Sequence, residues 1–113
     1  MAQIVSNTGI VTANASGANL STGRVSFVKI VCINSSGAAA WVQFFDAPVA
    51  SVTLGTTVPL LSVPVAATTG FAQLDFVQPQ GWTFDTRCSV FATTTPTGNS
   101  DPGAGIAVQA WVN

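Results

Sequence analysis

The stretch Val25-Ser26-Phe27-Val28-Lys29-Ile30-Val31-Cys32-Ile33 predicts one long β-strand that is apolar on both sides. Side chains alternate between the two faces of a strand. The alternation predicts two groups of apolar side chains: Phe27, Val31 and Ile33 on one face, and Val28, Ile30 and Cys32 on the other. Because a strand with two apolar faces needs cover on both, we expect this strand at the centre of a sheet.

The residues that follow predict a β-hairpin. Asn34-Ser35-Ser36-Gly37 are turn formers, and residues 38–45 continue as a second apolar run that ends in Phe44 and Phe45. Two such runs separated by turn residues are typical of paired strands. The adjacent Phe44 and Phe45 must point to opposite faces, so at least one of them is expected to meet a second layer, an edge or a partner.

Four further segments are predicted as strands: residues 58–65, 70–76, 87–94 and 106–112. The first contains Pro59 and Pro64, which lack backbone N–H donors and favour an edge strand or an extended crossover over a central strand. The second alternates, which predicts Ala72, Leu74 and Phe76 facing inward, Gln73 and Asp75 facing outward, and Phe71 exposed or at an edge.

These six strands, with one or two more around Ile4-Val5 and residues 9–12, predict an all-β fold. Thr, Val and Ile supply 34 residues while Glu is absent, which favours strands over helices. Turns at intervals of about eight to twelve residues indicate a sandwich or small barrel. We expect an antiparallel β-sandwich of about six to eight strands, jelly-roll-like or immunoglobulin-like, with an extended N-terminal arm.

The N-terminal quarter differs in composition from the rest of the chain. Residues 1–24 contain no aromatic residue and are rich in Ala, Ser, Asn, Thr and Gly. They are predicted to form an N-terminal arm or an edge segment, and residues 25–113 to form the sandwich domain. An arm of this kind can become ordered against a neighbouring subunit.

The charge content excludes several classes of function. The 113 residues include only seven charged ones, or 6%, against about 25% in ordinary domains. Three cations and a net charge of −1 cannot provide the basic surface that nucleic acid requires. The chain also lacks His, Glu and Tyr, so four Asp are its main candidates for acid–base chemistry. No catalytic, cofactor or metal site is expected, and Asp85 and Arg87, two residues apart, are expected to form an exposed pair on one face.

Cys32 and Cys88, with Trp41 between them, follow the order of residues found in immunoglobulin domains. However, Thr86 stands where that fold has a Tyr, and no secretory signal is visible at the start of the chain. Two reduced, buried thiols are therefore favoured over a disulfide, although a secreted immunoglobulin-like adhesion domain with a Cys32–Cys88 bridge remains an alternative. Apolar runs such as residues 38–42 are far shorter than the roughly 20 residues of a membrane span.

A surface with so few charges offers little repulsion between copies of the chain. Thr, Ser, Asn, Gln and Ala must cover the outer faces that charged residues normally keep apart. Few ions need to lose water when two such surfaces meet. The composition therefore predicts a stable homo-oligomer or a subunit of a larger shell.

Four segments resemble a small β-domain found among structural proteins of tailed bacteriophages: residues 42–48 (VQFFDAP), 54–59 (LGTTVP), 79–84 (PQGWTF) and 92–95 (ATTT). The resemblance covers about residues 25–113. It implies a non-enzymatic virion component, made in the host cytoplasm, that decorates or cements the capsid by binding across neighbouring major capsid subunits. It also implies a homo-oligomer, commonly a trimer.

An alternative function is a tail or fibre module that binds surface glycans. Aromatic rings stack on sugars, and Trp82 and Trp111, together with exposed Asn or Asp residues, are the first candidates for such a site. Packing in the core is the competing use of these rings, because a sandwich of this size needs several large inward side chains.

Overall fold

The computed structural model describes residues 6–76 and 81–112 and folds them into two antiparallel sheets. A short 3₁₀ helix covers Val49–Ser51. The strands in the described residues are β1 (Ser6–Ala13), β2 (Ala18–Asn19), β3 (Val25–Asn34), β4 (Ala40–Asp46), β5 (Leu61–Val65), β6 (Gly70–Asp75), β7 (Trp82–Phe84), β8 (Cys88–Thr93) and β9 (Ile106–Val112). Ile4-Val5 and Pro79-Gln80, which the sequence marked as strand and turn, lie outside the described residues.

The two sheets have a nested strand order. The first sheet runs β1-β9-β3-β6, with β7 also pairing with β3, and the second runs β2-β8-β4-β5. Apart from β7, the strands pair from the outside inward along the chain: β1 with β9, β2 with β8, β3 with β6, and β4 with β5. This is the connectivity of a jelly roll, so the predicted sandwich is confirmed, and the jelly roll is the arrangement it adopts.

The central position predicted for β3 is confirmed, but the predicted face of Phe27 is wrong. β3 pairs with β9 on one side and with β6 and β7 on the other. Phe27 is completely buried in the core with Ile30 and Cys32, whereas it was expected to share a face with Val31 and Ile33. The register against β9 shifts between Phe27 and Lys29, and such a β-bulge moves the following side chains to the opposite face.

The predicted hairpin between β3 and β4 is also wrong. β3 lies in the first sheet, and β4 lies between β8 and β5 in the second, so the turn residues carry the chain from one sheet to the other. The buried Asn34 side chain fixes this crossing: its Nδ2 donates to the carbonyl oxygens of Ala38 (2.8 Å) and Val65 (3.3 Å). Its Oδ1 accepts hydrogen bonds from Ser36 N and Oγ.

The described part of the N-terminal segment forms edge strands of the sandwich itself. β1 pairs with β9 at one edge of the first sheet, and β2 pairs with β8 at one edge of the second. Ala13 and Leu20 are buried in the core between the sheets. Residues 6–24 are therefore part of the packed domain, as edge segments.

The remaining strand positions follow the sequence pattern. β5, with Pro64, is the edge strand of the second sheet, as predicted. Ala72 and Leu74 of β6, and Phe76 after it, pack against the core, while Gln73 and Asp75 are exposed. β2 and β7, of two and three residues, were not counted as strands from the sequence.

An aromatic cluster fills one end of the core. The Trp82 ring centroid lies 5.7 Å from that of Phe44, 5.4 Å from that of Phe76 and 4.4 Å from that of Phe84. Phe84 also meets Phe27 edge to face at 5.6 Å. Such aromatic pairs each contribute about 0.5–1.5 kcal/mol beyond their burial.

Loops cover the outer face of the second sheet. Phe45 and Phe91 point away from the main core, yet both are buried, with ring centroids 5.4 Å apart. Gln43 Nε2 donates to the Gly98 carbonyl (3.1 Å) and Ser62 Oγ donates to the Pro96 carbonyl, so the loop after β8 crosses this face. Phe45 thus meets a second layer, one of the three environments predicted for at least one of the adjacent residues Phe44 and Phe45.

The contact between Gly17 and Phe91 gives a test of this covering layer. We expect Gly17→Ala to lower the free energy of unfolding by about 2–4 kcal/mol, because a Cβ would overlap the Phe91 ring at a positive φ of 80°. Gly9→Ala shares the positive φ (73°) but has open space, so about 1–2 kcal/mol is expected there. Gly37→Ala has neither constraint and should change stability by about 0.5 kcal/mol or less.

Urea denaturation of the three variants measures these differences. Equal losses in Gly17→Ala and Gly9→Ala would show that the Phe91 contact adds nothing to the backbone strain.

Candidate functional site

Unlike the outer face of the second sheet, the outer face of the first sheet is not covered by loops of residues 6–76 and 81–112. Side chains that alternate with the core residues form three rows across β1, β9, β3 and β6, in register. We call this surface the open face; its rows are Thr12, Ala107, Ile33 and Phe71; then Ile10, Gln109, Val31 and Gln73; then Asn7, Trp111, Lys29 and Asp75.

Three large apolar side chains are exposed in the first two rows of the open face, which together we call its apolar end. Ile10, Ile33 and Phe71 leave 70%, 46% and 58% of their surface exposed. Phe71 and Ile33 lie directly opposite each other on neighbouring strands. Exposed apolar side chains grouped on one rigid surface are typical of interaction sites, whereas isolated ones are ordinary.

The other end of the open face carries charge. Lys29 Nζ lies 5.4 Å from the centroid of the Trp111 ring, within range of a cation–π interaction. Asp75, opposite Lys29 in the register, accepts hydrogen bonds from Gln73 Nε2 at 2.9 and 3.2 Å. The open face therefore combines an apolar end with one cation and one anion at the opposite end.

A shallow depression of about 30 Å³ lies within the open face, lined by Ile10, Val31, Ile33, Ala107, Val108 and Gln109. This space holds a water molecule or two. Pockets that enclose small organic ligands are typically about 300–1,000 Å³. The open face is thus suited to contact with another surface rather than to enclosing a small molecule.

The predicted Asp85–Arg87 pair does not form. Asp85 Oδ1 lies 3.7 Å from Arg24 Nε, and Arg87 Nη2 donates to the carbonyl oxygen of Thr22 (2.9 Å). The chain turns between β7 and β8, so Asp85 and Arg87 do not share the face of one extended segment.

Asp46, at the end of β4, holds that turn. Its carboxylate accepts hydrogen bonds from the backbone N–H groups of Asp85 (3.0 Å), Thr86 (2.8 Å) and Arg87 (3.2 Å). Desolvation alone would raise the pKa of Asp46, but the three backbone hydrogen bonds together outweigh it and lower that pKa below its ordinary value. This carboxylate stabilises a turn between strands.

The two thiols are free and buried in the core, as favoured by the sequence. Burial raises the pKa of the Cys32 thiol to about 12. Burial, and to a smaller extent the charge of Asp46, raise the pKa of Cys88 still further. Neither thiol is available as a thiolate nucleophile near neutral pH, and the bridge of an immunoglobulin-like domain is not formed.

The two tryptophans proposed for glycan binding lie on opposite sides of the first sheet. Trp82 faces inward in the aromatic cluster, and Trp111 faces outward beside Lys29. They cannot stack on one sugar. The exposure of Ile10 and Ile33 was not predicted from the sequence, because an apolar strand does not show which of its two faces lacks a covering layer.

Residues 6–76 and 81–112 contain no group of three His, Cys, Asp or Glu side chains that could hold a metal ion. The same residues include no helix with the length and apolar character needed to cross a bilayer.

The Asp46 hydrogen bonds predict a pH dependence of stability. Because the folded pKa is lowered, the carboxylate stabilises the fold above the unfolded pKa of about 3.9, and this contribution is lost as the pH falls through the folded value. We expect Asp46→Asn to be less stable than the parent protein at pH 6 and to approach it in acid.

Urea denaturation between about pH 2 and 6 checks this expectation. Asp101→Asn is the control, since Asp101 accepts one backbone hydrogen bond, from Gly103, in an exposed loop. An equal loss in both variants, or a constant difference across the pH range, would contradict the role assigned to Asp46.

The buried thiols predict slow alkylation. Iodoacetamide at neutral pH should leave the folded protein unmodified and add two groups after unfolding in urea, without prior reduction. Mass spectrometry measures both states. A requirement for reductant before alkylation would instead indicate a disulfide.

No family model matches the chain, and comparisons with curated proteins and with solved structures find no match.

Proposed function

We propose that the protein is a non-enzymatic structural component of a tailed-phage virion, a capsid decoration or cement protein that binds across neighbouring major capsid subunits and stabilises the head. The observation that carries this proposal is the apolar end of the open face, formed by Ile10, Ile33 and Phe71. A sheet presents these side chains on a rigid surface, and a partner that covers them removes apolar area from water.

The low charge of the chain supports contact with protein rather than with nucleic acid. Of the seven charged residues, only Lys29 and Asp75 lie in the rows of the open face. Few ions therefore need to lose water when a partner surface meets this face. Burial of apolar area contributes about 25 cal/mol per Å² to such a contact, which must exceed the free energy lost with the freedom of the unbound copy.

The shape and fold of the domain are compatible with a surface clamp. The principal-axis extents of the structure are 44 × 31 × 19 Å. Jelly rolls occur in viral capsid proteins and also in lectins, so the fold supports the proposal without deciding it. The resemblance of residues 25–113 to phage structural domains favours the virion. Several copies bound to one particle would convert weak contacts into lasting attachment.

The absence of enzymatic activity is part of the proposal. Four of the chain's ionisable groups make defined structural contacts: Asp46, Arg24 with Asp85, and Arg87. The described residues contain no group of three His, Cys, Asp or Glu side chains that could hold a metal ion. The Cys88 thiol lies opposite Asp46 in the register, but it is buried and its pKa is raised. These features favour binding as the function of the open face.

Substitutions on the open face test its role. We expect the double variant Ile10→Thr and Ile33→Thr to fold like the parent and to bind purified capsids with at least tenfold lower affinity, because about 1.5 kcal/mol of lost burial corresponds to that factor. Electrophoresis of sedimented particles measures occupancy.

The matched control removes similar apolar surface from another part of the molecule. Val58 and Leu60, in the loop before β5, are 82% and 56% exposed. The double variant Val58→Thr and Leu60→Thr should retain occupancy. Equal losses in both double variants would show that general hydrophobicity, rather than the open face, holds the protein on the particle.

Electron microscopy of particles from the virus that encodes the chain tests the location. Density for the domain at the junctions between head subunits is expected. Density at the tail, or particles without the protein, would contradict a decoration role.

A tail or fibre glycan-binding module remains the second candidate, because Trp111, Lys29, Gln73 and Asp75 place an aromatic ring beside polar groups. A glycan array distinguishes the two functions. Specific binding that is lost in Trp111→Ala would support the glycan-binding module over the decoration protein.

A further inference from the structure

We propose that β6 is a self-association edge, where Phe71–Asp75 pair antiparallel with the same residues of a second copy about a two-fold axis. The contact joins the first sheets of two copies into one continuous sheet. Its hydrogen bonds are made by the edge of that sheet, so the proposal does not depend on the proposed virion function.

The outward backbone groups of β6 have no partner in the described chain. β6 pairs with β3 in an unbroken register from Lys29–Asp75 to Asn34–Gly70, and Phe76 N donates to the carbonyl oxygen of Val28 at 3.0 Å. Backbone groups alternate in direction along a strand, so those of Ala72 and Leu74 also face β3. The N–H and C=O groups of Phe71, Gln73 and Asp75 therefore point away from the sheet, and none is hydrogen-bonded within residues 6–76 and 81–112.

The other three sheet edges carry features that oppose pairing. β1 contains an irregularity between Asn7 and Ile10, where Gly9 N donates to Asn7 Oδ1 at 2.8 Å. β2 has only two residues, and β5 contains Pro64. Bulges, short strands and prolines are the devices by which proteins protect sheet edges. β6 has six residues without Pro or a bulge, and Asp75 is its only charge.

A second copy of β6 is well suited to pair with this edge. Antiparallel pairing of β6 with itself lets each copy donate and accept through the same three residues, as an isologous interface requires. With the axis near Gln73, each Asp75 lies beside the other copy's Phe71, which separates the two carboxylates by about 13 Å along the strands. The only ionisable groups of the edge therefore do not face each other.

The apolar side chains at this edge also favour self-association. Phe71 and its cross-strand neighbour Ile33 are 58% and 46% exposed on the open face, and Phe71 lies two residues from the axis. In the pair, Phe71 of each copy gains a neighbouring strand that covers part of its ring.

The size of the contact predicts its strength and stoichiometry. Five residues of strand edge bury less than the roughly 1,200–2,000 Å² of a stable interface, so we expect a reversible dimer that dissociates on dilution. A two-fold axis pairs two copies, whereas the phage resemblance implies trimers. The stoichiometry in solution therefore tests β6 pairing separately from particle binding.

Light scattering coupled to size-exclusion chromatography, over a dilution series, measures that stoichiometry. The parent should approach twice the 11.5 kDa of the chain at high concentration. Gln73→Pro removes one outward N–H at an edge position where proline is tolerated, and should be monomeric throughout. Gln73→Thr, the control, keeps the N–H and should dimerise like the parent. A parent that is monomeric at every concentration, or trimeric, overturns the proposal.

Hydrogen exchange of the parent measures the same pairing without a substitution, and so does not depend on the folding of Gln73→Pro. The amides of Phe71, Gln73 and Asp75 should exchange at least tenfold more slowly at high than at low concentration, while those of Ala72 and Leu74 stay protected at both. Fast, concentration-independent exchange of the three outward amides would contradict pairing at β6. Occupancy on particles is measured independently, so this inference and the proposed function can fail separately.

Discussion

The placement of β3 between β9 and the β6–β7 edge is the constraint on which the rest of the structure depends. Both sides of its backbone are hydrogen-bonded, and one face contributes Ile30 and Cys32 to the core. The bulge before Lys29 adds Phe27 to that same face, where it meets Phe84 and closes the aromatic end of the core. The bulge also places Lys29, Val31 and Ile33 on the opposite side of the sheet, and so determines which side chains form the open face.

Much of the β-architecture could be predicted from local pattern, and the errors have local causes. Alternation in residues 70–76 correctly separated inward from outward side chains because one face of β6 is solvated. Alternation failed at Phe27 because a bulge leaves no signature in the composition of β3. The turn residues after β3 were recognised, but a turn that crosses between sheets and a hairpin turn use the same residue types, so pairing with β4 was predicted in error.

The two outer faces of the sandwich have opposite environments. The second sheet buries Phe45 and Phe91 under its loops, whereas the first leaves Ile10 and Ile33 exposed. The sequence could not distinguish these outcomes, because cover for an outer face comes from loops distant in sequence, such as the one that contains Gly98. The covered face also hides polar atoms at a cost: Gln43 Oε1 and Ser89 Oγ are buried without hydrogen-bond partners in the described chain.

The pairing of β1 with β9 has a consequence for how the chain reaches this structure. Ser6 lies opposite Val112, so the outermost pairing of the nested order joins segments from the two ends of the described chain. During synthesis, β1 has no strand to bind until β9 has left the ribosome. Closing such distant contacts is slow, because a large loop must be ordered before the pairing gains any free energy. The first sheet is therefore completed only once β9 has emerged, and until then the edge that β9 will occupy is exposed to aggregation.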